Sequence, residues 1–292
     1  MSKNRLVFVH GRAQEYKDAV ALKAEWVNAF RVGLAKNGLD LPLSDADIRF
    51  PYYGQTLYDL VNGAPSVDSV VVRGGPADAE QRFQHAVLEE VKQALGLSDE
   101  QVEQALAADV RERGPLNWEW VQGILQAIDQ YVPGASAASI ALATRDVYQY
   151  LKNPGIRDTI EAGVRQALQP GVPTVVVSHS LGTVVAFNLL RREGAAAGWQ
   201  VPLFVTLGSP LGVAAIRSAL APVEHPSCAS HWFNAMDERD VVALYPLTPD
   251  HFKVTPAIEN KADVHNHTQN RHGISGYLDD AEVARRIHTA LG

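Results

Sequence analysis

The stretch Thr174-Val175-Val176-Val177-Ser178-His179-Ser180-Leu181-Gly182-Thr183-Val184-Val185 joins two hydrophobic patterns with no linker between them. Its first half is a β-branched run of the kind that fills a strand buried on both faces. From Gly182 onward, Val184, Val185, Leu189 and Leu190 recur at helical spacing. A strand that runs straight into a helix needs a sharp turn, and the turn needs small residues on either side. Ser178 and Gly182, two before and two after Ser180, meet that requirement. A serine in such a turn sits in strained backbone with its hydroxyl held above the sheet. The N–H of Leu181 and the N-terminus of the following helix then face whatever the hydroxyl meets. The layout is that of a nucleophile elbow, and it predicts an α/β sheet carrying a nucleophilic serine.

The surrounding chain has the alternation such a sheet needs. Upstream, residues 5–9 form a β-branched and aromatic run that stops at His10-Gly11, and residues 19–34 place Val20, Trp26, Val27, Phe30 and Leu34 at helical spacing. Residues 47–53 predict a second strand, ended by Gly54. A helix with Ile156, Ile160, Val164 and Leu168 on one face leads to the third strand at 172–178. Residues 203–207, closed by Gly208-Ser209-Pro210, predict a fourth, and residues 231–235 a fifth. Strands alternating with helices indicate a mostly parallel central sheet flanked by helices, with ligands bound beyond the carboxyl ends of the strands.

Between Gly54 and Pro154 the patterns are helical only. Helices are expected at 79–95, from a Ser98/Gln101 capping box to Gly114-Pro115, at 117–131, and at 139–151. The expected organisation is therefore a core of residues 1–54 and 155–292, with residues 55–154 a helical insert before the serine strand. Such an insert is either a cap over the site, which would supply apolar walls and exclude water, or a packing extension with no catalytic role.

A hydroxyl is a weak nucleophile until a base takes its proton, and a carboxylate then sets the tautomer of that base. In the chain order Ser, Asp, His, the base belongs on a loop before the last helix. His272, in Asn270-Arg271-His272-Gly273, precedes the final helical pattern at 280–291, which Asp279 or Asp280 can cap. It is the expected base, with His267 as its rival. Two aspartates follow the fifth strand, and of these Asp240 is the expected acid, while Asp237 suits a turn-forming or supporting role. Backbone N–H groups of Leu181 and of Arg12, after the His10-Gly11 turn, are expected to hold a developing oxyanion. His179 is expected to pack rather than act as a base. His265, His267 and His272 could suggest a metal site, but no acidic or cysteine ligands cluster beside them in sequence. No metal or other cofactor is expected.

Composition bounds the alternatives. With 292 residues, 46% of them hydrophobic, the chain can bury a sizeable core without metal or disulfide, and its single cysteine, Cys228, has no internal partner. A net charge of −7 and the absence of long basic runs argue against nucleic acid and favour a small neutral or apolar partner. The longest weakly polar stretch, residues 135–143, is far shorter than the ~20 residues of a membrane span. Amphipathic helices leave peripheral lipid contact open. Without a charged-then-apolar leader, a reduced, cytoplasmic setting is expected.

With Val7-Phe8-Val9-His10-Gly11, Ser178-His179-Ser180-Leu181-Gly182, Phe204-Val205-Thr206-Leu207-Gly208-Ser209-Pro210 and the Asp240 and His272 loops in order, the chain resembles an α/β-hydrolase of the lipase and esterase branch. The resemblance covers the predicted core and not the helical insert. It implies carboxylic-ester hydrolysis through an acyl-enzyme, an apolar acyl pocket, a small-molecule or lipid ester as substrate, and no cofactor. The chain departs from the family in two ways. It begins at the strand that carries His-Gly, so a smaller sheet is expected, and Ser178 replaces the first elbow glycine. A thioesterase, amidase or acyltransferase could use the same residues, and a non-catalytic scaffold binding lipid or protein is a different class of alternative.

Overall fold

In a computed structural model that describes residues 4–11, 18–54, 76–106 and 118–292, the β-branched runs become one six-stranded sheet. The strands are β1 (Arg5–Val9), β2 (Ile48–Arg49), β3 (Thr174–His179), β4 (Phe204–Leu207), β5 (Trp232–Ala235) and β6 (Glu259–Lys261). Their order is β2-β1-β3-β4-β5-β6 and every pairing is parallel. β3 and β4 are buried along their whole length, as a sheet covered on both faces requires.

Alternate strand residues feed two cores. Leu6, Phe8, Val175, Val177, Val205 and Phe233 face α1 (Ala19–Ala35), which brings Trp26 and Phe30, and the C-terminal helix, which brings Val283, Ile287 and Leu291. Val7, Val9, Val176, Phe204 and Trp232 face the other way, into a larger cluster. There they meet α2 (Pro76–Ala94), α3 (Asp99–Ala105), α4 (Trp118–Tyr131), α5 (Ala137–Lys152), α6 (Pro154–Ala167), α7 (Leu181–Glu193) and α8 (Ala214–Ala219). Helices α2 to α6 thus share one hydrophobic core with the sheet. The chain closes with α9 (Ser275–Leu278) and α10 (Ala281–Leu291), and Asp280 caps α10 by accepting from the N–H groups of Glu282 and Val283.

Three expectations change. The second strand shrinks from 47–53 to two residues, preceded by a 3₁₀ turn at Asp45–Asp47. Pro51 has no N–H to lend to a ladder, and the Tyr53 N–H goes to His10 Nε2 at 3.0 Å instead. β6 was not expected, because Glu259-Asn260-Lys261 carries no apolar alternation; it is an edge strand whose ladder partner is β5, with Asn260 bonded to the Leu247 backbone. The capping box at Ser98 forms, but its helix ends at Ala105. Leu106 leaves it extended and packs where a Cβ on Gly123 of α4 would sit 2.8 Å from the leucine side chain. The Gly114-Pro115 stop lies outside the described residues.

The chain leaves β1 for β2 on one side and returns to β3 on the other. The strand order reverses between β1 and β3, which opens a crevice at their carboxyl ends. His10-Gly11 and Ser180 lie at those ends. Among the described residues no helix is long and apolar enough to cross a membrane.

Candidate active site

Ser180 stands at the junction of β3 and α7 with φ 55° and ψ −128°, a conformation that L residues rarely adopt. Close packing imposes it. A side chain on Gly182 would collide with the Val9 carbonyl oxygen, so only glycine lets α7 start this near β1. A Cβ on Gly11 would sit 2.7 Å from the Ser180 Cβ, so the loop after β1 also passes in contact with the serine. Ser178 takes the first small position, where its hydroxyl donates to the Val205 carbonyl at 2.8 Å. Leu181 opens α7, and its N–H is one of the four that a helix leaves without an intrahelical acceptor. Arg12, expected to supply a second N–H, lies outside the described residues.

The structure brings His272 and Asp240 to this serine. His272 Nε2 is 2.8 Å from Ser180 Oγ, and His272 Nδ1 is 2.7 Å from Asp240 Oδ2. A buried carboxylate can only accept here, so Nδ1 carries the proton and Nε2 is free to accept from the hydroxyl. Asp240 is fully enclosed. Burial acts to raise its pKa, but the His272 charge and hydrogen bond, the Tyr277 hydroxyl and the Val242 N–H outweigh it, and the net shift is downward. Oδ1 accepts from Val242 N–H at 2.9 Å, and Oδ2 from the Tyr277 hydroxyl at 2.6 Å.

Asp237 does not touch His272. Its carboxylate accepts from Arg239 N–H and Asn266 N–H, both at 2.8 Å, which closes its own turn and ties it to the histidine loop. Asn266, fully buried, passes that connection on by donating Nδ2–H to the Gly273 carbonyl at 2.8 Å. His267 points elsewhere, pairing with Asp279 on the surface at 3.0 Å, and His265 is exposed. Among the described residues no group of three or more His, Cys, Asp or Glu side chains is placed to hold a metal ion.

Two further histidines, His10 and His179, hold the site from behind. His10 donates Nδ1–H to the Gly11 carbonyl at 2.7 Å, accepts the Tyr53 N–H at Nε2, and stacks on the Tyr53 ring at 3.9 Å. The Tyr53 hydroxyl in turn donates to the His10 carbonyl. His179 packs, as expected, against Trp26 and Tyr277, and also donates Nε2–H to the His272 carbonyl at 2.8 Å. Burial, above all, lowers the pKa of His10 to about 4 and that of His179 to about 3, where the His272 charge adds to it.

Tyr277 and Asn266 were missed in sequence. A tyrosine in a four-residue helix carries no local signal, and Asn266, between His265 and His267, has no spacing or motif that marks it. Gly208, at φ 55°, shows why β4 ends as it does: a Cβ there would lie 3.0 Å from the Tyr277 ring and 3.1 Å from Asp240 Oδ2.

In front of Ser180 and Leu181 lies an apolar slot of about 20 Å³. Val87 and Val91 of α2 and Ile140, Ala143, Thr144 and Val147 of α5 form one wall, and Pro210, Val213, Ile216, Val241, Val242 and Leu244 the other. In comparisons with family models, curated proteins and solved structures, no match to this chain was found.

Proposed function

We propose that the chain is a serine hydrolase of the α/β-hydrolase type that cleaves a carboxylic ester through an acyl-enzyme. The observation that carries this is the unbroken relay from Asp240 through His272 to Ser180, with the serine in strained backbone at the foot of an apolar slot. The strand order, with the serine turn after β3 and the acid and base loops after β5 and β6, supports the fold assignment. The position of α2 and α5 over Ser180 supports a cap role for residues 55–154.

Ser180 Oγ attacks the ester carbonyl carbon as its proton passes to His272 Nε2. The new oxyanion is held by the Leu181 N–H, with Arg12 N–H as the second donor, each worth about 3 kcal/mol. Asp240 stabilises the imidazolium without taking its proton. The C–O bond to the alcohol then breaks, and His272 returns the proton to the departing oxygen. Water repeats the sequence on the acyl-enzyme: His272 takes its proton, the acid leaves, and Ser180 regains its hydrogen.

A fluorophosphonate should form one adduct, located on Ser180 by peptide mass spectrometry, and the Ser180→Ala variant should form none. Absence of an adduct on the folded wild type would sink the hydrolase assignment.

A further inference from the structure

The slot in front of Ser180 is narrow, apolar and pinned. At about 20 Å³ it has room for about one or two water-sized groups. Among the described residues that line it, Ser180 and Thr144 are the polar ones, and the Thr144 hydroxyl is committed to the Ile140 carbonyl at 2.8 Å. Val87, Val91, Ile140, Val147, Val241 and Val242 are β-branched, and such side chains have few rotamers with which to step aside.

The backbone behind those side chains is tied at three points. Val242 donates its N–H to Asp240, so that wall cannot retreat without loosening the acid. Glu90 of α2 accepts the Ala214 N–H at 2.9 and 3.1 Å, joining α2 to the start of α8. Tyr150 of α5 donates to Glu161 of α6 at 2.7 Å, and Glu161 also takes Asn188 and Arg192 of α7. A slot held on both sides keeps its small volume.

Resting on the acyl-enzyme assigned to Ser180 above, we propose that this slot receives the acyl chain and restricts the enzyme to esters of short, uncharged acids, with about one or two carbons beyond the carbonyl. Acetyl and propionyl groups fit. Longer chains must displace β-branched walls, and in a well-packed site each misfitting methylene lowers kcat/KM by about tenfold or more.

The test is a series of nitrophenyl esters from acetyl to octanoyl, run alongside a small methyl fluorophosphonate that reports on Ser180 independently of chain length. The expected optimum is acetyl or propionyl, with kcat/KM for octanoyl at least about 100-fold lower. Val147→Ala should move the optimum to longer chains. Ala143→Leu, which fills the slot instead of emptying it, should lower propionyl turnover more than acetyl turnover, and it serves if the first variant folds poorly. An optimum at six carbons or longer, a flat series, or labelling of Ser180 without turnover of any short ester overturns the length gauge and leaves the serine assignment standing. Failure of both labelling and turnover removes the hydrolase reading and the gauge with it.

Discussion

Tyr277 is the residue whose position explains most about the Asp240 carboxylate. It donates to Oδ2, the oxygen that also receives His272 Nδ1–H, and its own hydroxyl accepts the Asp237 N–H at 3.3 Å. Burial first, and then the Asp240 charge, pushes the pKa of its hydroxyl well above the ordinary tyrosine value, so it stays a donor. Replacing Tyr277 by Phe removes one charge-assisted hydrogen bond, worth about 1.5 kcal/mol or more. The expected result is a fall in kcat/KM of about tenfold. With less support from the hydroxyl, the carboxylate holds the imidazole less firmly in line with Ser180, so kcat should fall while KM stays near its wild-type value. A purely structural role would raise KM and lower stability as well, and steady-state kinetics with urea unfolding separates the two.

Among the described helices, one joint outside the site is built on Glu161. Its carboxylate is wholly buried and accepts from Tyr150 of α5 and from Asn188 and Arg192 of α7, with Arg165 at 3.6 Å. One side chain of α6 therefore fastens the helices before the serine strand to the helix that follows it. Glu161→Leu would leave buried Tyr150 and Asn188 groups without this partner, while Arg192, 38% exposed, can turn to water. Loss of about 3 kcal/mol of stability is expected in urea unfolding, in line with breaking a buried pair. A loss under about 1 kcal/mol would show that the joint holds little. At this scale the amphipathic patterns were legible because each helix has its own period. Strands β2 and β6 were not, since an edge strand of two or three residues is defined by its neighbour and carries no pattern of its own.

For the whole molecule, two neutral histidines buried beneath the site make stability depend on acid. The folded pKa values of His10 and His179, about 4 and about 3, lie below the ordinary 6.5. Unfolding at acidic pH therefore takes up two protons. Their stabilising contribution is complete above pH 6.5 and is lost as pH falls toward 4, at about 1.4 kcal/mol per pH unit for each histidine. Chemical denaturation at pH 7, 6 and 5 should show that decline, and His179→Gln should reduce its slope by about one proton; a stability flat across this range would refute it. The sequence by itself determined the local features: the strand-to-helix turn at Ser180, the small residues at Ser178 and Gly182, the helix periods and the parallel α/β class. All of these depend on neighbours a few residues apart, whose sterics and hydrophobic spacing are written in order along the chain. Asp240 over Asp237 and His272 over His267 were expected from chain order and are the ones that meet, but tertiary structure alone decided that Tyr277 and Asn266 support the loops and that α2 and α5 narrow the slot. Those choices join groups far apart in the chain: Ser180 and His272 are 92 residues apart, and Glu90 and Ala214 are 124 apart. Hydrogen-bond geometry of a few tenths of an ångström selects among chemically equal candidates only after the sheet has closed and the cores on its two faces have packed.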